Sequence, residues 1–229
     1  MSKSLELCID TSTRYASVAI SSYGTILVNL SWHSQLNHSV ELVPAIQDIL
    51  RRTGIKISDL NAVFVARGPG GFSALRVGIS FAKSLASARS LPIVSVPTLD
   101  IESQPFMNLE RPVCAVIQAG KEKIYSGLYH PKRATTESCD LEYKVFKPNE
   151  LIDSLPDKTL ICGEAANTIG MLICSKSLIV VDSGPPTRNG VALGRLGYER
   201  LKEGNIDDPI KLEPIYLHGS QIKSASRNR

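Results

Sequence analysis

Hydrophobic positions along this chain alternate in short runs of period two and in longer stretches of period near 3.6, the signatures of strands and amphipathic helices. Leu5 to Asp10, Tyr15 to Ile20 and Thr25 to Leu30 read as three short strands. Tight turns at Thr11-Ser12-Thr13-Arg14 and Ser22-Tyr23-Gly24 join them. A helix is predicted from Ser39 to Arg52, stopped by Gly54, then a strand over Ala62 to Ala66, a long helix from Phe72, and a strand over Ile93 to Val96. The order then starts again. Val113 to Gln118, Lys123 to Tyr129 and a weaker run near Leu141 to Val145 read as strands, followed by a short helix after Pro148 and the strand Leu160 to Cys162. A helix from Glu164, a strand over Leu178 to Val181 and a helix over Asn189 to Glu203 complete the pattern. Both halves run strand, strand, strand, helix, strand, helix, strand, a repeat of architecture. The stretch Pro97 to Arg111, with Pro105 and Pro112, marks the boundary. The division expected is an N-terminal lobe over 1–100 and a C-terminal lobe over 101–219, its last helix free to pack back on the first lobe. A basic tail over 220–229 follows, expected to be frayed.

Such two-lobe α/β order resembles the actin, sugar-kinase and heat-shock ATPase group of ribonuclease H-like folds. The helix from Phe72 adds a further constraint. Its polar residues Ser73, Arg76, Ser80, Lys83, Ser84 and Ser87 fall within an arc of roughly 100°, leaving roughly 200° apolar. Such a helix should touch two things. Ala74, Gly78, Ala82 and Ala86, four residues apart, run along the middle of the apolar arc, where another backbone can come close. Two readings stay open: a seam with a helix of another chain, or a helix sandwiched within its own lobe.

The bulk properties narrow the class. The 229 residues are 43% hydrophobic and 21% charged, with a net charge of +4, and no apolar run reaches membrane-spanning length. Glu6 and Asp10 interrupt the first apolar run, which is unlike a signal peptide and predicts a cytoplasmic address with no membrane partner. Cys8, Cys114, Cys139, Cys162 and Cys174 form no CxxC pair and read as reduced, packed thiols.

Candidate chemistry is sparse. Asp10-Thr11-Ser12-Thr13 lies at the turn where the actin-like folds cradle a nucleotide phosphate, so Asp10, Thr11 and Ser12 are candidate phosphate-binding residues, with Asp10 suited to hold magnesium. The matching turn of the second half, Gln118-Ala119-Gly120-Lys121-Glu122, begins with no carboxylate, so half of such a clamp is missing. Gly68-Pro69-Gly70-Gly71 lacks the Gly-Lys-Ser/Thr end of a P-loop and the Rossmann spacing. Gly68, Gly70 and Gly71 are read as a structural turn from strand into helix. His33 and His38, five residues apart, do not share a helix face, and no metal site or catalytic residue is predicted.

Three segments together are similar to the TsaB (YeaZ) family. These are Ile9-Asp10-Thr11-Ser12; His38-Ser39 followed by Leu42, Pro44, Ile46 and Leu50; and Gly68-Pro69-Gly70-Gly71-Phe72-Ser73-Ala74-Leu75-Arg76-Val77-Gly78. Leu212-Glu213-Pro214-Ile215-Tyr216-Leu217 resembles that family's closing motif, so the likeness covers nearly the whole chain. The resemblance implies a non-catalytic subunit of tRNA threonylcarbamoyladenosine synthesis. Such a subunit binds the catalytic TsaD subunit, works with the ATPase TsaE, pairs with itself when alone, and meets tRNA only through the complex. No cofactor is implied. The interface implied on the first-lobe helices comprises His38, Leu42, Ile46, Ala74, Leu75, Gly78, Phe81, Ala82 and Leu85. The sequence departs from the family in two places: Gln118, Ala119 and Gly120 replace an Asp-Ala-Arg, and Gly71-Phe72-Ser73-Ala74 replaces Ser-Phe-Thr-Gly, with Ser73 left as the hydroxyl for a helix cap. The alternatives are a small ATPase or phosphotransferase using Asp10 and Thr11, and a metallopeptidase related to the M22 glycopeptidases.

Overall fold

A computed structural model describes residues 4–131, 143–174, 177–181, 186 and 188–217. The chain divides into two units, Met1–Ile101 with Arg188–Ile215, and Glu102–Thr187 with Tyr216–Arg229.

In the first unit the strands are β1 (Leu5–Asp10), β2 (Tyr15–Ser22), β3 (Thr25–His33), β4 (Ala62–Ala66) and β5 (Ile93–Val96). The sheet order is β3-β2-β1-β4-β5. β1 pairs antiparallel with β2 and parallel with β4, which puts it at the centre and buries every one of its residues. β3 is an edge strand and alternates between exposed and half-buried positions, as a strand covered on one face must. Helices α1 (His38–Thr53) and α2 (Phe72–Arg89) cover one face, packing Leu42, Ile46, Ile49, Leu75 and Ile79 on Leu7, Ile9 and Val63. The opposite face, carrying Cys8, Ala19 and Phe64, receives Leu193 and Ala192 of α6 (Gly190–Lys202). That helix lies very close to the sheet: a Cβ at Gly190 would collide with the Asn29 side chain, and one at Gly197 with the Phe64 ring. Beyond α6 the backbone bridges the free edge of β5 through Asp207 and Ile93, so this edge is blunted by the chain itself.

The second unit repeats the plan. Its strands are β6 (Val113–Ala119), β7 (Lys123–Tyr129), β8 (Tyr143–Phe146), β9 (Leu160–Cys162) and β10 (Ile179–Val180). They run in the order β10-β9-β6-β7-β8, the same arrangement as in the first unit read from the other edge. Two short helices, α4 (Pro148–Ser154) and α5 (Ala166–Gly170), contribute Leu151, Ile152 and Ile169 to a core with Cys114, Val116 and Ile161. The two-lobe α/β class expected from the sequence is present.

Residues 188–215, including the last helix α6, group with the first unit, because the apolar side of α6 is the cover of the first sheet. The first division between the units, Ile101 to Glu102, falls within the stretch read as the boundary, and that stretch also holds a helix that its prolines did not suggest, α3 (Thr98–Ser103), with Leu99 and Ile101 fully buried. The tail 220–229, Cys139 and the first two residues of the run Leu141 to Val145 lie outside the described residues. Among the described residues no helix is long and apolar enough to cross a membrane.

Candidate functional site

The turn after β1 is where the sequence concentrates its candidate chemistry, and all of it is buried. Asp10 Oδ1 accepts hydrogen bonds from the Ser12 N–H at 2.8 Å and the Ser12 hydroxyl at 2.5 Å, the arrangement of an Asx turn. Its other oxygen, Oδ2, accepts from Arg188 Nε at 3.0 Å, and both side chains are no more than 2% exposed. Arg188 Nη2 also donates to the Thr13 hydroxyl and, at 3.0 Å, to the Tyr15 carbonyl. Arg188 is held there by the start of α6, where Asn189 Oδ1 caps the helix by accepting from the Val191 and Ala192 N–H groups.

The rest of the turn is tied to α1 and α2. The Thr11 hydroxyl donates to the Ala74 carbonyl at 2.7 Å and accepts the Gly78 N–H at 3.1 Å. Gly71 N–H donates to the Ser12 carbonyl at 2.7 Å. His38 Nε2 lies 2.8 Å from the Thr13 carbonyl, which only accepts, so this nitrogen carries the proton. A phosphate cradle needs free N–H groups and hydroxyls pointing at the ligand. Here the Ser12 amide, the Ser12 and Thr11 hydroxyls and both Asp10 oxygens already hold protein partners. Magnesium and a nucleotide phosphate therefore do not fit the residues as they stand.

The glycine-rich turn serves this closure. Gly68 adopts φ +101°, a conformation that favours glycine, and a Cβ at Gly70 would collide with the Ser12 carbonyl. The N-cap of α2 is Gly71, with no side-chain hydrogen bond. Ser73, expected to cap, is exposed inside the first helical turn.

The interface set implied for the helices needs correction. Gly78 presses on Thr11 and Ile9 of its own unit, so the small-residue stripe of α2 is a helix-to-sheet contact. Leu42, Ile46, Leu75, Ala82 and Leu85 are core residues of that unit, and His38 and Ala74 are buried as well. Of the nine residues, Phe81 alone keeps partial exposure. On α1, α2 and the loop before α1, the large apolar side chains that do face outward are Leu36 and Val40, each 69% exposed, with Val43 and Phe72. Arg76 lies over the Phe72 ring at 3.8 Å, a cation–π contact that leaves the guanidinium at the surface.

In the second unit, Gln118 Nε2 donates to the carbonyls of Gly120 at 2.8 Å and Lys123 at 3.3 Å, so this amide pins its own hairpin. Burial pushes the Cys8 and Cys114 thiols up to about 12, making both poor nucleophiles. Among the described residues no three His, Cys, Asp or Glu side chains gather in a metal-binding group. The residue missed by sequence reasoning is Arg188. Its one local signal is that it precedes the Asn-Gly start of a helix, and nothing in the sequence links it to Asp10.

The family model of TsaD, tRNA N6-adenosine threonylcarbamoyltransferase, matches residues 32–164, more than half of the chain. The tRNA threonylcarbamoyladenosine biosynthesis protein TsaB of Haemophilus influenzae is 31% identical over 220 residues, covering 92% of both chains. The chain belongs to the TsaB (YeaZ) family. Other TsaB relatives match over a shorter span: that of Bacillus subtilis is 29% identical over 57% of each chain, and that of Escherichia coli 35% identical over 54% of each. The chain thus matches little more than half the length of these two relatives. Among solved structures, YeaZ from Pseudomonas aeruginosa superposes with a TM-score of 0.77 at 24% identity, covering 93% of this chain and all of that one. This likeness shows that the TsaB fold is shared.

Proposed function

We propose that this chain is the non-catalytic scaffold subunit of a complex that forms threonylcarbamoyladenosine on tRNA, where it docks a TsaD-type catalytic subunit. The observation that carries the reading is the match to the Haemophilus influenzae TsaB over nearly the full length of both chains. Within that family assignment, the closed Asp10 turn favours a role without chemistry, because the carboxylate and hydroxyls that would handle a phosphate are committed to Arg188 and α2. The docking face is the outward side of α1 and α2 together with the loop before α1. There Leu36, Val40, Val43 and Phe72 offer exposed apolar area, and Phe81, packed in part on the core, adds its outer edge. The same face pairs two copies when the partner is absent, a TsaE-type ATPase joins the pair, and tRNA is met through the complex.

Reconstituted threonylcarbamoyl transfer tests this. The chain alone should neither turn over ATP nor modify tRNA, and the TsaD-type subunit should need it for full activity. Val40→Arg, at an exposed helical position, should leave the melting temperature within about 2 °C and abolish both docking and the stimulation. Transfer that proceeds equally well without the chain, or with the Val40→Arg chain, would rule the reading out.

A further inference from the structure

Arg188 meets Asp10 across a sequence separation of 178 residues, and their side chains are among the most deeply buried charges in the first unit. The oxygens that converge on its guanidinium include the Asp10 carboxylate, the Thr13 hydroxyl and the Tyr15 carbonyl. Carboxylate, hydroxyl and carbonyl oxygens are the donors that hard cations select. The fold group implies magnesium and a phosphate beside Asp10, and the residues do not fit them because a cation of the chain's own is already there.

We infer that Arg188 is a tethered resident cation which seals the Asp10 turn against divalent metal and nucleotide phosphate. The guanidinium is permanently charged and presents its donors in a rigid fork, so the counter-charge it sets against Asp10 does not itself titrate away. Because the chain itself holds it at the carboxylate, it competes with free magnesium intramolecularly. Asn189, capping α6 immediately after it, and the bond from Gly190 N–H to Asn29 Oδ1 fix its position against the sheet. With Arg188 in place a divalent ion would meet a like charge at the carboxylate it needs. Removing the side chain takes the guanidinium away from a buried carboxylate oxygen, the Thr13 hydroxyl and the Tyr15 carbonyl, an oxygen set that suits a hard cation.

The inference deepens the scaffold reading and rests on it, since it names the residue that withholds nucleotide chemistry from this turn. Thermal melts of the full chain test it, in magnesium chloride, in magnesium with ATP, and in low-millimolar guanidinium chloride, each against sodium chloride of equal ionic strength. The natural chain should give the same melting temperature in all four. Arg188→Ala should melt about 5–15 °C lower and regain part of that loss in magnesium or guanidinium but not in sodium. If that variant does not fold, the yield of its refolding in the same four salts reads the same quantity. The double variant Asp10→Asn with Arg188→Met removes both buried charges at similar volume and should respond to none of the salts. Three results would overturn the inference: an Asp10-dependent stabilisation of the natural chain by magnesium or magnesium-ATP, an Arg188→Ala chain indifferent to every cation, or a double variant that responds as the single one does. Failure of the scaffold reading shows elsewhere, as transfer that ignores the chain, and leaves these cation responses untouched.

Discussion

Gly78 shows how one hydrogen in place of a side chain decides the packing of a whole helix. An added Cβ would stand 2.5 Å from the Thr11 hydroxyl and 3.3 Å from Ile9, and it would break into the bond between the Gly78 N–H and that hydroxyl. A substitution here relieves a helix-interior glycine, worth about 1 kcal/mol of propensity or less, while overpacking costs typically 1–3 kcal/mol. At so close a contact overpacking outweighs propensity. Gly78→Leu should therefore lower the melting temperature in thermal scans, and the folded fraction should still self-associate and bind its partner in sedimentation. A variant that stays as stable as the natural chain but no longer associates would place Gly78 at a surface instead. The sequence displayed the stripe of small residues; which neighbour it served depended on Thr11, a residue brought up by a different part of the chain.

At the scale of elements, β3 and α1 are joined by a bond that local patterns do not reveal. Trp32 Nε1 donates to Glu41 at 2.9 Å, linking the end of the edge strand to the first turns of the helix that carries the proposed docking side chains. Hydrogen bonds from Ser34 and then Trp32 hold the Glu41 carboxyl below its ordinary value of 4.5. A carboxylate whose pKa is depressed by folding stabilises the native state above the unfolded value and loses that contribution as pH falls through the folded one. Stability should accordingly decline below about pH 4.5, over a window that Trp32→Phe narrows from the acid side. Because Trp32 is the chain's one tryptophan, its fluorescence reports the loosening directly. An acid titration of fluorescence and melting temperature that is the same for a Glu41→Gln chain would show that this carboxyl takes no part. The central strands and the helices other than α3 were legible. β1, β4, β5, β7 and β9 occupy the limits their hydrophobic runs indicated, whereas β2 and β3 run on to Ser22 and His33 because pairing with each other carries both past the last apolar residue of the pattern.

At the scale of the molecule, the chain folds as two units of one plan, and the first is discontinuous, finished only when Arg188–Ile215 returns to it. Buried thiols mark each unit separately: Cys8 lies in the first, Cys114 and Cys162 in the second, while Cys174 is exposed. A thiol-specific reagent under native conditions should modify Cys174 within the dead time of a manual assay. Cys8 and Cys114, with their thiols pushed up to about 12, should react only through opening of their own unit. Mass spectrometry of peptides along a denaturant series then gives the stability of each unit, and Arg188→Ala should accelerate Cys8 labelling while leaving Cys114 unchanged. Equal acceleration of both would mean that the units open together.

The sequence by itself determined the order of strands and helices, the repeat of that order in two halves and, through the segments around Asp10, His38 and Gly68–Gly78, the family. These follow from hydrophobic period, turn residues and glycine positions, which are local and survive in one dimension. Only the tertiary structure decided that α6 belongs to the first unit, that Gly78 of α2 packs on Thr11 and Ile9 of its own unit, and that Asp10 is paired with Arg188. Each is a contact between segments far apart in sequence. A glycine stripe or a lone arginine looks the same in the sequence whichever neighbour it meets, and what it does is set by the atoms that folding places within a few ångströms of it.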